Sequence, residues 1–281
     1  MVAERTNLTT QPSSEEIVTR AKRRAREMKK GSRREEIPVR TRFIRDVDAK
    51  KGEKADTPMG RLVKSGSRDG ITLRLYLALL WRCSAEPYTT NIPARQWAEL
   101  LGLAEPEETY ARRITNALRR LEEANLIALE RKKGQPSMIT LLDESGDGSP
   151  YLPPRGSKDK RNRWVKIPIT LWQNDEFYDL GTPGLAMMLA ILAERNDPLE
   201  PMWWSIARFE QRIGLTPSTR ARGLNQLEKA GLLTDKKQRM PSKPGGFARE
   251  AVRSTYLLHL EEHSTPRITT VQTLKEFKSR P

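Results

Sequence analysis

Cysteine and histidine are nearly missing from this 281-residue chain: Cys83 stands alone, and His259 and His263 are the only imidazoles. A single thiol excludes an intrachain disulfide and any cysteine-cluster zinc site. Two histidines, one at a strand end and one in a loop, supply neither a metal set nor a catalytic triad. Long apolar runs are missing too. The longest, Leu73 to Trp81, is interrupted by Arg74 and followed by Arg82, so it cannot span a bilayer. Met1 to Arg20 contains no apolar h-region, which predicts no secretory leader and a cytoplasmic, nucleoid-associated protein. No GxxxxGK[ST] loop occurs, which argues against nucleotide-driven motor work. Carboxylates such as Glu122, Glu123 and Asp143 form no clustered set. Tyr110 beside Arg112 and Arg113 matches a recombinase-like set only weakly and reads more simply as packing or phosphate contact. The expectation is a non-enzyme without a cofactor.

What is abundant is positive charge. Fifty-one Lys and Arg face 36 Asp and Glu, leaving a formal +15 and a pI near 10.1. Such a balance favours an anionic partner, nucleic acid or an acidic membrane surface. The chain also repeats itself. TNALRRLEEANLI at 115–127 returns as ARGLNQLEKAGLL at 221–233. Each copy is an amphipathic helix that stops at Asn125 or Gly231 and runs into an apolar pair. Repetition sets the architecture, here two similar modules.

Composition divides the chain into five stretches. Residues 1–70 are expected to be a flexible basic N-terminal region. It carries Lys22, Arg23, Arg24, Arg26, Lys29, Lys30, Arg33 and Arg34, a possible short helix from Ser14 to Met28, and irregular chain on to Gly70. This run is either a solvated tail or an arm that lies along phosphates. The first module, 71–142, has a Leu-rich helix 71–81, a helix 94–101 opened by Pro93 and closed by Gly102, and a helix 109–124. Strands 126–130 and 138–142 follow, joined by the basic tip 132–137. Residues 143–163, rich in Gly and Pro and ending in a basic stretch, read as a flexible linker. The second module, 164–262, opens with a strand at 164–169. Helices at 182–194 and 204–213 follow, then one started by Thr216-Pro217 and running to Ala230. A long hairpin, 232–236 and 254–260, closes it. The tail 263–281 is polar. The fold class expected is mainly α with small β-hairpins, an α+β class of two units.

Helix, helix, helix and hairpin is the order of the winged helix, and residues 71–142 resemble that family. LxxLExxGLI before a basic hairpin is common in it, and Asn125 stands here where the pattern has Gly. Two such units on one chain resemble, in architecture, bacterial plasmid replication initiators and winged-helix regulators. The resemblance implies double-stranded DNA as partner, with the third helix of each unit in a major groove.

Helical geometry names the candidates. With Ile114, Leu118 and Leu121 inward, Thr109, Arg112, Asn116 and Arg119 point outward, flanked by Arg113 and Arg120. Arg can read guanine and Asn adenine, each bidentately. In the second copy, with Leu224 and Leu227 inward, Ser218, Thr219, Arg222 and Gln226 point outward, and Arg220 lies at the edge of the apolar sector. Because the faces differ, the modules are expected to read different sequences. Lys132 and Lys133, then Lys236, Lys237, Arg239 and Lys243, are expected to touch phosphate or the minor groove, adding affinity more than discrimination. Trp81, Trp97, Trp172 and Trp204 fit core spacing, whereas Trp203 sits at a turn and is left partly exposed. A homodimer or protein partner through the first helix of either module is a further expectation. The rival classes are a protein-interaction scaffold built on winged helices and a DNA nuclease or recombinase.

Overall fold

A computed structural model describes residues 13–50, 52–65, 69–104, 107–155, 162–239 and 252–260. The first element is a docked helix, α1 (Ser14–Lys30), and not a solvated tail. Ser13 and Glu16 form a capping box: the Ser13 hydroxyl accepts from the Glu16 N–H and the Glu16 carboxylate accepts from the Ser13 N–H. Docking without a large apolar stripe works because Ala21 and Ala25, one turn apart, are fully buried and let the backbone approach closely. Five of the eight cations of the basic run then bond inside the protein, while Arg23, Lys30 and Arg33 stay exposed. Lys22 pairs with Asp175, Arg24 with Glu99 at 2.5 Å and Lys29 with Glu35. Arg26 bonds Gln173 at 3.0 Å, and Arg34 donates to the Leu80 and Ser84 carbonyls at 3.1 and 3.3 Å. The arm expected to lie along phosphates is therefore largely a structural strut from residue 13 onward. Residues 1–12 lie outside the described residues.

The described part of the stretch expected to be irregular to Gly70 is ordered as well. It forms β1 (Glu36–Arg40), α2 (Thr41–Ile44) and α3 (Pro58–Ser65), burying Ile37, Val39, Phe43, Ile44, Met59 and Leu62. β1 pairs antiparallel with the strand expected at the start of the second module, from Glu36↔Pro168 to Arg40↔Trp164. A lone strand leaves its backbone groups unpaired, so that strand needed a mate, and the supposed tail supplies it.

The first unit follows as α4 (Ile71–Arg82), β2 (Thr89–Thr90), α5 (Ala94–Leu100), α6 (Glu107–Glu123), β3 (Ile127–Glu130) and β4 (Met138–Leu141), with sheet order β2-β4-β3. After β5 (Trp164–Pro168), a 3-10 turn (Ile169–Gln173) and α7 (Asp175–Asp179), the same order returns. The second unit contains α8 (Thr182–Glu194), α9 (Ile206–Ile213), α10 (Pro217–Lys229), β6 (Leu233–Arg239) and β7 (Val252–Leu258). In place of β2 it has one bridge, Met202↔Tyr256, so β7 again lies between its two neighbours. Helix ends repeat too. Asn125 (φ 54°) and Gly231 (φ 65°) close α6 and α10 in the left-handed region. In each, the following Leu N–H bonds back to the Leu five positions earlier, Leu126 to Leu121 and Leu232 to Leu227. Asn tolerates this conformation, so Asn125 does the work of the pattern's glycine.

The two units share one core; they are not beads on a flexible connector. α4 and α8 pack on each other, and their buried residues run through one continuous cluster with Ile37, Phe43 and Trp172. Every described residue of α4 except Arg82 is buried, as is α8 from Thr182 to Ala193. The first helices therefore carry no free seam for a homodimer or protein partner, because their apolar surfaces are already buried within the chain, α8 chiefly against α10 and α4 chiefly against α6. Their starts touch: the Gly70 N–H donates to the Thr182 hydroxyl at 3.1 Å. A Cβ at Gly70 (φ 77°) would lie 2.7 Å from the Leu180 carbonyl, so only glycine fits this approach.

The described part of the expected linker is anchored as well. Glu144 is fully buried, and its carboxylate accepts from the Arg40 N–H and guanidinium, both at 2.8 Å. Arg42 holds neighbouring Asp143 at 2.6 Å, and Leu142 bridges Pro150. Residues 156–161, most of the basic end, lie outside the described residues.

Burial pushes the Glu144 carboxyl up to about 7, with Arg40 pulling the other way. An acid whose folded value is raised binds its proton more tightly folded than unfolded. It therefore favours folding below the ordinary carboxylate range and loses that contribution as pH rises to about 7. Stability measured by urea unfolding should fall between about pH 5 and 7 by about 1–2 kcal/mol. Glu144→Gln should flatten that slope. An equal slope in the variant would remove Glu144 as its source.

Candidate nucleic-acid interface

α6 and α10 each present a polar stripe to solvent, and both are fastened at the junction where α4 and α8 begin. On α6, Arg113 pairs with Asp69 at 2.8 Å, one residue before Gly70. On α10, the Gln226 side-chain oxygen accepts the Gly184 N–H in the first turn of α8, at 2.8 Å. α10 lies unusually close to α8 because Gly223 has no side chain: a Cβ there would meet the Pro183 carbonyl at 2.3 Å. Two solvent-facing stripes are thus held in a fixed relation by the core beneath them.

The α6 stripe matches the sequence expectation well. Thr109, Arg112 and Arg119 are exposed, and Asn116 and Arg120 are half-buried beside them. No described carboxylate pairs with Arg112. Arg119 meets Glu123 at 2.7 Å one turn on, an exposed pair worth only about 0.3–0.5 kcal/mol and easily exchanged for phosphate or a base. Arg113 is more committed, since its Asp69 partner belongs to the α4 start. Ile114 and Leu121 face inward as expected, Leu118 is only half-buried, and Ala117 is buried in addition.

The α10 stripe is rotated from the expected one. Ser218 and Arg222 are exposed, and among the described residues Arg222 bonds only the Ser218 carbonyl, at 3.4 Å. Thr219, expected outward, is buried, with its hydroxyl 2.9 Å from the capping hydroxyl of Thr216. Gln226 is turned to α8 as described. Arg220, half-buried, is also turned inward. Its guanidinium lies 5.0 Å from the Phe209 ring centre and within 6 Å of Trp204 and Tyr256, and it donates to the Tyr256 hydroxyl at 3.3 Å. In the repeat, Arg220 occupies the place of Ile114, so a cation in an aromatic cage replaces an aliphatic core residue. Asn225, which the helical reading passed over, is exposed instead. Matching the copies position by position would have found it, because Asn225 corresponds to Arg119.

Both hairpins project cations. Lys132 and Lys133 are exposed at the first tip, where Lys132 meets Glu130 at 3.1 Å. Arg131, also unanticipated, grips Glu122 with two bonds of 2.6 and 3.3 Å, which braces the tip against α6. Lys236, Lys237 and Arg239 are exposed along β6; Lys243 lies outside the described residues. Trp81, Trp97, Trp172 and Trp204 are core residues, whereas Trp203 is 48% exposed.

Among the described residues, no helix is long and apolar enough to cross a membrane, and no group of His, Cys, Asp or Glu is placed to hold a metal ion. Comparisons with protein-family models, curated proteins and solved structures returned no match.

Proposed function

We propose that the chain is a sequence-specific double-stranded DNA-binding protein built as two fused winged helices, with α6 and α10 read into neighbouring major grooves. The observation that carries this reading is the pair of outward stripes, Thr109/Arg112/Asn116/Arg119 and Ser218/Arg222/Asn225, fixed at one junction and each backed by a cationic hairpin. The strand order of the first unit, the matching helix ends of the second and the +15 charge support it. The biological role proposed is a bacterial or mobile-element transcriptional regulator, or a binder of plasmid origin or partition sites. Binding rather than catalysis is the inferred activity, with no cofactor.

Selection from a random duplex library should return a motif of two unlike halves, and affinity for it should fall steeply from about 50 to 200 mM salt. Arg112→Ala with Arg222→Ala should weaken binding about 100-fold, since each lost base contact is worth about 1–3 kcal/mol. Unchanged DNA retention by the double variant would rule out the groove assignment. Salt-insensitive capture of a protein, without DNA affinity, would favour the scaffold reading instead.

A further inference from the structure

We propose that the outer face of the second hairpin binds unpaired bases of single-stranded DNA, with Trp203 as the stacking platform. This rests on the DNA-binding role above and extends it to a second form of the same polymer. Trp203 is 48% exposed, and the Arg253 guanidinium lies 4.6 Å from its ring centre. Gln238 fixes that guanidinium from the facing strand, accepting two bonds of 2.9 and 2.7 Å. Indole, guanidinium and amide form a row across the hairpin. The row is anchored because Met202, next to Trp203, exchanges backbone bonds of 2.9 and 2.7 Å with Tyr256.

Two further observations point to nucleic acid. Lys236, exposed two residues before Gln238, shares the face of Gln238 and Arg253, so an anionic backbone has a cation on the same side of the hairpin; Lys237 and Arg239 alternate to the other face. The first unit has nothing equivalent. Its position matching Trp203 is Asn91, and its hairpin ends after four pairs where the second continues for seven, the added rungs bringing Gln238 and Arg253. A unit of this topology therefore folds without an exposed indole, and packing alone does not explain this one. In a duplex each base face is covered by its neighbours, whereas an unpaired base offers a free π-face to Trp or Arg.

The test uses the full chain, its selected duplex and an oligothymidylate of about twelve nucleotides, within the usual span of single-strand sites. The oligonucleotide should quench part of the tryptophan fluorescence. Trp203→Ala should abolish that quenching and weaken oligonucleotide binding about tenfold or more, with duplex affinity within about twofold of the parent. Trp203→Phe should keep most of the affinity, because a ring still stacks. Equal oligonucleotide affinity of parent and Trp203→Ala, or a parent that binds duplex and ignores the oligonucleotide, overturns the proposal and leaves duplex recognition standing. Quenching by phosphatidylserine vesicles but not by oligothymidylate assigns the patch to lipid and overturns it too. A parent that binds neither nucleic acid overturns both readings.

Discussion

Arg74→Ala should lower the unfolding free energy by about 4 kcal/mol or more, a large share of the roughly 5–15 kcal/mol that holds a typical domain. Arg74 is 2% exposed in the first turn of the most apolar helix of the first unit. No described carboxylate forms an ion pair with it. Instead its guanidinium donates to the Leu180, Tyr178 and Phe177 carbonyls at 2.8, 3.1 and 3.2 Å, and to Leu101 at 3.4 Å. Those oxygens belong to the last turns and ends of α5 and α7, where the helix dipole is negative and most carbonyls lack helical partners, although Phe177 also accepts the Leu180 N–H at 3.4 Å. The Phe177 ring centre lies 5.3 Å away. Burial lowers Arg74 to about 10, which still leaves it charged at neutral pH. One side chain thus closes two helix ends and joins the first unit to the segment leading into the second.

Truncation would strand several buried acceptors at about 1–3 kcal/mol each, not strictly additive, and leave a cavity. Arg74→Met keeps most of the volume but none of the donors. It should therefore resemble Ala more than wild type, and this comparison separates hydrogen bonding from packing. Urea unfolding at pH 7 measures both. A shift below about 1 kcal/mol for Arg74→Met would show that the carbonyls find other partners.

In the sequence, Arg74 registered only as the charge that stops 73–81 from spanning a bilayer. Three of its four carbonyl partners lie over a hundred positions away, beyond the reach of any periodicity. The same distinction runs through the chain. Elements that depend on their own spacing were legible: α4, α5, α6, the first hairpin, α8, α10 and the capping signal Thr216-Pro217, whose hydroxyl accepts the Thr219 N–H at 3.2 Å. Elements that depend on distant partners were not. β1 is a five-residue strand in charged surroundings that becomes a strand only against β5. α1 docks through two alanines, which carry little hydrophobic signal. Glu144 in a Gly- and Asp-rich stretch looks like solvent-facing loop until Arg40, from the other side of the core, closes on it. The rotated α10 stripe has an equally specific origin. The inward face was centred on Leu224 and Leu227, but Leu224 is only half-buried, and Gly223 makes the closest approach to α8. A glycine has no hydrophobicity to register, so the helix was turned by part of a residue step, and Thr219 and Gln226 went to the wrong side.

The shared core also fixes the geometry of any DNA that both stripes engage, and this gives the sharpest test of the proposed architecture. A connector of about 20 flexible residues would let the two units seek their half-sites separately and reach well past one helical turn. The structure allows no such search, because Gly70 and Thr182 touch, Gln226 is bonded to α8, and Arg40 with Glu144 pins the chain between the units. Inserting five base pairs between the halves of the selected site moves one half about 17 Å along the axis and rotates it about half a turn. Only one unit can then bind its half. Losing the second, intramolecular contact should cost at least about 100-fold in affinity at moderate salt. Ten inserted base pairs restore the rotation but leave one half displaced by about 34 Å. A tethered pair of modules tolerates that change, whereas a fused pair does not. Both insertions should therefore fail alike in gel-shift titrations. Recovery with ten would mean that the α4–α8 contact opens on DNA, and equal affinity with zero, five and ten would mean that only one helix reads bases.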